Sequence, residues 1–116
     1  MGRSQGPVHH FAQETAEAVT ILLRLEAEAD LEEARNWYEA QRTGLGDEFI
    51  EEVDVVLQRV GRASQQFPKI HGEVRRALVR RFPFAVYFLR EGRRSVVVGV
   101  LHQRRDPAEW QRRADA

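Results

Sequence analysis

The sequence predicts an α+β fold: an N-terminal strand, a helical hairpin packed on one face of a small antiparallel sheet, and a short C-terminal helix. Apolar residues recur every three or four positions between residues 27 and 65, and every second position after Gly72. These are the periods of amphipathic helices and of strands. With 116 residues, 42% of them hydrophobic, the chain can bury one modest core. We therefore expect a single domain over residues 18–113, preceded by a flexible extension over residues 1–17, which lack any periodicity.

The first half of the chain predicts one strand and two helices. Residues 19–25 form a short apolar run that begins with β-branched side chains, which is typical of a strand. Residues 26–41 have strong helical propensity and carry an apolar stripe of Ala27, Leu31, Ala34 and Tyr38. Two glycines then make a turn, and a second apolar stripe runs over residues 45–64. Three aromatic residues on or beside these stripes are expected in the core: Trp37, Tyr38 and Phe49.

The second half predicts three strands and a terminal helix. The strands are placed at residues 74–82, 84–90 and 95–103. In the third strand, alternation places Val96, Val98, Val100 and His102 on one face, and Val97 and Leu101 on the other. Asp106-Pro107 starts the terminal helix, whose Trp110 is expected to pack onto the sheet. Because this helix is short, we expect part of one sheet face to form an exposed, arginine-lined apolar groove that binds a partner.

Charge is divided unevenly along a chain whose net charge is zero. Residues 1–61 carry 5 basic and 13 acidic side chains, whereas residues 62–116 carry 13 basic and 5 acidic ones. Of the 18 basic residues, 17 are arginine, whose planar guanidinium pairs with carboxylates and phosphates through two hydrogen bonds. The basic half should therefore attract an acidic protein, a phosphate backbone or both.

Several classes of chemistry are excluded or disfavoured by composition. The absence of cysteine excludes disulfides, thiolate catalysis and cysteine-based zinc sites. His71 and His102 have no metal-ligand spacing, and His9-His10 in the extension is interpreted as incidental. There is also no glycine-rich phosphate loop. Because metal-ligand spacing and a phosphate loop are both lacking, neither a metal nor a cofactor is expected. No apolar run approaches the ~20 residues of a membrane span, and no signal peptide is recognisable, so we expect a cytoplasmic protein without a membrane partner.

Four stretches of the sequence resemble the ParE/RelE family of toxins from bacterial type II toxin–antitoxin modules, also called plasmid stabilisation proteins. The likeness runs from about Ile21 to Trp110. Its elements are Glu28 to Arg35 followed by Trp37-Tyr38-Glu39; Gly44-Leu45-Gly46 followed by Phe49; Arg75-Arg76 followed by Arg81-Phe82-Pro83-Phe84 and Val86-Tyr87; and Val98 to His102 followed by Arg104-Arg105, Asp106-Pro107 and Trp110. Each stretch alone is a weak signal, and their order over some 90 residues is fairly specific.

This resemblance implies a toxin that halts growth and is neutralised by a cognate antitoxin, whose C-terminal tail lies across it. The expected antitoxin is a small ribbon-helix-helix DNA-binding protein, so operator DNA would be reached only through it. Members of the family differ in mechanism. ParE-like toxins inhibit DNA gyrase by binding, whereas RelE-like toxins cut messenger RNA on the ribosome. A third reading is an inactive toxin that serves as a subunit of an autorepressor complex.

The ParE-like reading is preferred because the basic half is poor in groups that transfer protons. Arginine stays protonated at neutral pH, so no catalytic residue is expected. The ribonuclease alternative would use His102 and Tyr87, expected near each other on neighbouring strands, with Arg81 and Arg104 holding the phosphate. The residues expected to bind antitoxin or target are Arg76, Arg80, Arg81, Tyr87, His102, Arg104 and Arg105. We expect two groups of charged side chains to be solvated: the acids between Glu26 and Glu39, and the pair Arg112 and Arg113.

Overall fold

A computed structural model describes residues 20–115; the extension proposed for residues 1–17 lies outside them. The elements are β1 (Thr20–Leu23), α1 (Leu25–Gln41), α2 (Leu45–Ala63), a 3-10 turn (Ser64–Gln66), β2 (Lys69–His71), β3 (Val74–Leu78), β4 (Phe84–Glu91), β5 (Arg94–His102) and α3 (Pro107–Asp115). The five strands form one sheet in the order β1-β5-β4-β3-β2. The α+β prediction is confirmed. Strand β2 was missed because three residues are too few for an alternating pattern.

The sheet is mixed, because β1 lies parallel to β5 while the other neighbours are antiparallel. Strand β1 pairs only with the first part of β5, up to Val97. The outer edge of β5 beyond Val97 is therefore open to α1 and to the end of α3. None of the helices in this part of the chain is long and apolar enough to cross a lipid bilayer.

The turn between α1 and α2 depends on two glycines and one carboxylate. Gly44 has φ +91°, a left-handed conformation that glycine adopts without a steric penalty. Gly46 lies so close to α1 that a Cβ there would be 2.6 Å from the carbonyl oxygen of Arg35. The carboxylate of Glu39 accepts hydrogen bonds from the N–H groups of Gly44 and Gly46, both at 2.9 Å. Glu39 thus caps the start of α2, and the expectation that it is merely solvated is wrong.

The larger core lies between the helical hairpin and the sheet. Phe49 is fully buried at its centre, with its ring 5.1–5.3 Å from the rings of Tyr38, Phe82 and Phe84. These edge-on and tilted contacts are the arrangements that aromatic rings prefer. The prediction that Phe49 and Tyr38 belong to the core is confirmed, with Phe49 buried and Tyr38 packed at the edge.

A β-bulge in β5 changes which side chains face this core. Tyr87 lies opposite Gly99 while Phe88 lies opposite Val97, so β5 holds one extra residue, Val98. Val97 and Val100 consequently face the hairpin, and Val98 belongs to the cluster on the other side of the sheet. The predicted alternation, which put Val98 and Val100 on one face, is wrong because a bulge resets the period of two.

The opposite face of the sheet is covered at its centre by α3. The ring of Trp110 stacks on Tyr87 at 4.9 Å with an interplanar angle of 11°, so the predicted packing of Trp110 onto the sheet is confirmed. Asp106 caps the helix, since its Oδ1 accepts the N–H of Ala108 at 3.0 Å. Leu78 in β3 stays 51% exposed beside this small cluster. The helix therefore covers most, and not all, of this face.

An ion pair fastens the end of α3 around the open edge of β5. Arg113 donates to the carboxylate of Asp30 in α1 at 2.6 and 3.2 Å and to the carbonyl of Val98 at 3.2 Å. The same carboxylate accepts the N–H of Val100 at 3.0 Å. The side chains of Asp30 and Arg113 are only 8% and 10% exposed. The expectation that both are solvated is wrong, because the open edge of β5 brings them together.

Candidate functional site

A groove of about 400 Å³ lies between α1 and the adjoining ends of β4 and β5. Most of its lining is aromatic or aliphatic, with acidic side chains along α1 and a basic one at the other end. Its residues are Asp30, Glu33, Ala34, Trp37, Tyr38, Pro83, Phe84, Val100, Leu101, His102 and Arg105. The arrangement resembles the arginine-lined groove expected from the sequence. However, it lies on the hairpin side of the sheet, whereas the expected groove was on the side away from the hairpin.

Trp37 is the most exposed aromatic side chain of the groove, at 59%. Its ring meets the edge of Tyr38 at 5.1 Å, and Tyr38 in turn packs on Phe82 and Phe84. The expectation that Trp37 lies in the core is wrong. Successive helix residues are turned by about 100°, so the neighbour of a core-facing tyrosine falls on the flank of the helix. A large aromatic ring exposed beside an apolar groove is typical of a protein-binding surface.

His102 lies at the floor of the groove. Its ring packs against Phe84 at 5.6 Å, directly across from it in the β4–β5 pairing. Its Nδ1 accepts the backbone N–H of Arg104 at 3.0 Å. That bond occupies one ring nitrogen in shaping the turn after β5 and leaves Nε2 as the nitrogen available to a ligand.

Tyr87 lies on the other face of the sheet from His102. It is three residues from Phe84 along β4, and an odd separation reverses the face of a strand. The phenol is 2% exposed, stacked under Trp110. Burial raises its pKa above the ordinary value of 10.0, although the hydrogen bond from Arg76 opposes that shift. The expectation that Tyr87 and His102 lie near each other is therefore wrong, because the sheet separates them.

Arg81 is held by the acidic face of α2. Its guanidinium donates to Glu48 at 2.8 Å and lies 3.8 Å from Glu52. Hydrogen bonds from Arg81 and Arg42 lower the pKa of Glu48. Arg81 has φ +72°, the one positive value at a residue other than glycine within residues 20–115. The strand predicted over residues 74–82 ends at Leu78 because the chain turns here. Arg81 fastens this turn, so its guanidinium is engaged within the chain.

Three of the arginines predicted as binding residues have free guanidinium groups. Arg80, Arg104 and Arg105 make no side-chain hydrogen bond or ion pair within residues 20–115. Arg80 lies in the turn after β3, and the other two lie in the turn after β5. These turns are joined by a hydrogen bond from the N–H of Gln103 to the carbonyl of Pro83 at 2.9 Å. Arg105 lines the groove itself. Of the seven predicted binding residues, the structure thus brings five to one end of the sheet, of which Arg81 is paired with Glu48 and the others are Arg80, His102, Arg104 and Arg105.

Sequence reasoning missed the α1 wall of the groove. Asp30, Glu33 and Trp37 were read as parts of a solvated or core-forming helix face. One signal was present for Asp30. It lies three residues after Ala27 and next to Leu31, at the margin of the apolar stripe, where an acid needs a partner if it is buried.

Within residues 20–115, no group of three or more histidine and acidic side chains is placed to hold a metal ion. The lining of the groove offers apolar contacts and charged groups of both signs.

Comparison with known proteins agrees with this architecture. A family model described as the ParE toxin of the type II toxin–antitoxin system parDE matches residues 21–107. A chain from the solved structure of the chromosomal ParDE system of P. aeruginosa matches with a TM-score of 0.63 at 17% sequence identity, covering 69% of this chain and 90% of that chain. That degree of identity shows a shared fold. No individually curated sequence gave a significant match. Since the family model spans most of the chain, the protein belongs to the ParE toxin family of type II toxin–antitoxin systems.

Proposed function

We propose that this ParE-family toxin arrests growth by binding its target, DNA gyrase, without cutting RNA, and that a cognate antitoxin neutralises it. The observation that carries the proposal is the groove. It combines an exposed tryptophan, an apolar floor and one unpaired arginine, Arg105, which suits binding. A ribbon-helix-helix antitoxin is the expected partner, and operator DNA would be bound through that antitoxin.

The separation of the possible proton-transfer groups supports binding over ribonuclease action. Cleavage of RNA without a metal requires a base and an acid on opposite sides of one phosphate. His102 and Tyr87 lie on opposite faces of the sheet, and Tyr87 is buried with a raised pKa. Arg81, proposed as a phosphate ligand in that mechanism, is engaged by Glu48. A ribosome-dependent nuclease would therefore need other groups than those identified in the sequence.

An antitoxin segment that fits the groove would combine apolar and acidic side chains. Apolar groups would contact Trp37 and Phe84, and a carboxylate would pair with Arg105 at the rim. A basic residue at the opposite end would meet Glu33. Such a segment would cover the tryptophan and the cation together, so neutralisation would follow from blocking the surface that meets the target.

The test compares two assays on the purified toxin. We expect inhibition of gyrase supercoiling, relieved by the antitoxin encoded beside the toxin gene, and no cleavage of ribosome-bound message. The variant His102→Ala should retain growth arrest to within about tenfold, since the ring contributes packing and one turn hydrogen bond. Unaffected supercoiling together with cut message, or loss of message cleavage in a folded His102→Ala protein, would overturn the proposal in favour of a nuclease.

A further inference from the structure

Among the described residues, most arginines contact an acid, a carbonyl group, the Phe67 ring or the Tyr87 hydroxyl of the chain itself, and five do not. Within residues 20–115, free guanidinium groups belong to Arg62, Arg80, Arg93, Arg104 and Arg105. They fall into two sets at opposite ends of the sheet. Arg93 lies in the β4–β5 turn and Arg62 in the last turn of α2. Arg80, Arg104 and Arg105, here called the basic turn cluster, lie in the two joined turns at the groove end.

The backbone of the basic turn cluster is fixed by hydrogen bonds. The N–H of Arg104 binds Nδ1 of His102, and the N–H of Arg105 binds the carbonyl of His102 at 2.9 Å. The turn after β3 is closed by a bond from the N–H of Val79 to the carbonyl of Phe84, also at 2.9 Å. Three free cations are therefore presented from a rigid base. Binding a polyanion there would require ordering of side chains only, which keeps the entropic cost low.

We propose that the basic turn cluster is a contact site for the phosphate backbone of duplex DNA. This inference rests on the proposed action against gyrase, whose substrate is duplex DNA, and it places part of the toxin on that DNA. Arginine binds phosphate through two parallel hydrogen bonds. The nearby carboxylate of Asp106 is occupied in capping α3. The net charge of zero does not oppose binding, because the field at a surface is set by the local distribution of charge.

The geometry favours DNA over an acidic peptide as the occupant of the whole cluster. Only Arg105 lines the groove, so a peptide seated there would leave Arg80 and Arg104 without contact. A phosphate backbone spreads its charge along a line and can reach all three guanidinium groups. No base-reading element accompanies the cluster within the described residues, so the binding expected is independent of sequence.

The test is fluorescence anisotropy of a labelled short duplex DNA of mixed sequence, titrated with the full toxin over a series of salt concentrations. Three phosphate contacts predict a slope of log K against log salt of about −2.7, so that affinity falls roughly 40-fold between about 50 and 200 mM salt. The double variant Arg80→Gln/Arg104→Gln should bind with a slope of about −0.9. The double variant Arg62→Gln/Arg93→Gln removes the same charge at the other end of the sheet and should keep the slope of the unmodified protein.

Equal losses in the two double variants would overturn the proposal, because general positive charge would then explain the binding. Undetectable binding at the lowest salt would also overturn it. Competition by polyglutamate is a further control. If polyglutamate displaces the labelled DNA as effectively as unlabelled duplex of the same total charge, the ligand is an acidic peptide and the proposal is overturned. Gyrase inhibition is measured on the same samples. Inhibition without DNA binding contradicts only this inference, whereas DNA binding without inhibition contradicts only the proposed function.

Discussion

The two faces of the sheet are held by different kinds of interaction. On the hairpin side, a large cluster surrounds Phe49 and draws on both long helices and every strand except β2. On the α3 side, a small cluster around Tyr87 is closed by one stacked tryptophan and one ion pair. The first arrangement depends on the area of apolar surface that is buried, and the second depends on a few directional contacts.

This difference indicates which side can open without unfolding the domain. An isolated nine-residue helix is unstable in water, so α3 is ordered by its contacts with the sheet, with Asp30 and with Arg24, which donates to the Arg113 carbonyl. Loss of those contacts should unfold α3 locally while the rest of the domain stays folded. Loss of packing around Phe49 should instead destabilise the whole fold, because α1, α2 and the sheet all meet there.

The largest effect is expected from Phe49→Ala. Removing a fully buried ring leaves a cavity between Tyr38, Phe82 and Phe84. The expected loss is about 4 kcal/mol in the free energy of unfolding, as measured by urea denaturation. Protection of amides from hydrogen exchange should fall throughout the sheet. A loss confined to α3 would contradict the distinction drawn between the two faces.

A smaller and more local effect is expected from Asp30→Ala. The change leaves the Arg113 guanidinium buried without its carboxylate and the Val100 N–H without its acceptor, at a cost of about 3 kcal/mol. Hydrogen exchange should quicken in α3 first, while β4 keeps its protection. The matched variant Arg113→Met and the double variant complete a thermodynamic cycle. Additive losses within about 0.5 kcal/mol would show that the two residues are not coupled.

The smallest effect on stability is expected from lowering the pH. Hydrogen bonds from Arg113 and then Arg112 hold the pKa of Glu109 below its ordinary value of 4.5. A group whose pKa is lower in the folded state stabilises the fold above its unfolded pKa, and that contribution is lost as the pH falls through the folded value. Amides of α3 should therefore lose protection below about pH 4.5. The variant Glu109→Gln should weaken that pH dependence. An unchanged dependence of amide protection on pH would show that the ion pairs of Glu109 with Arg113 and Arg112 do not stabilise α3.

The contrast between the faces also explains which parts of the site could be predicted. The sequence predicts binding by Arg80, Arg104 and Arg105 because the clustering of charge along the chain is a local property, although Arg80 was placed inside a strand that in fact ends at Leu78. The ion pair between Arg81 and Glu48 could not be predicted, since 33 residues separate the partners. The same applies to Asp30 and Arg113, which are 83 residues apart and meet only because β1 ends early beside β5.

The sequence by itself determined the order of most elements, the boundaries of the two long helices to within a residue or so, and the separation of acidic from basic halves. Periodicity and turn residues encode these features locally. Tertiary structure decided the facing of side chains in β5, where a bulge at Val98 shifts the alternation, and the separation of His102 from Tyr87 by the sheet. It also decided that Trp37 borders a groove. These outcomes depend on which strands and helices become neighbours, and that is a property of the packed chain.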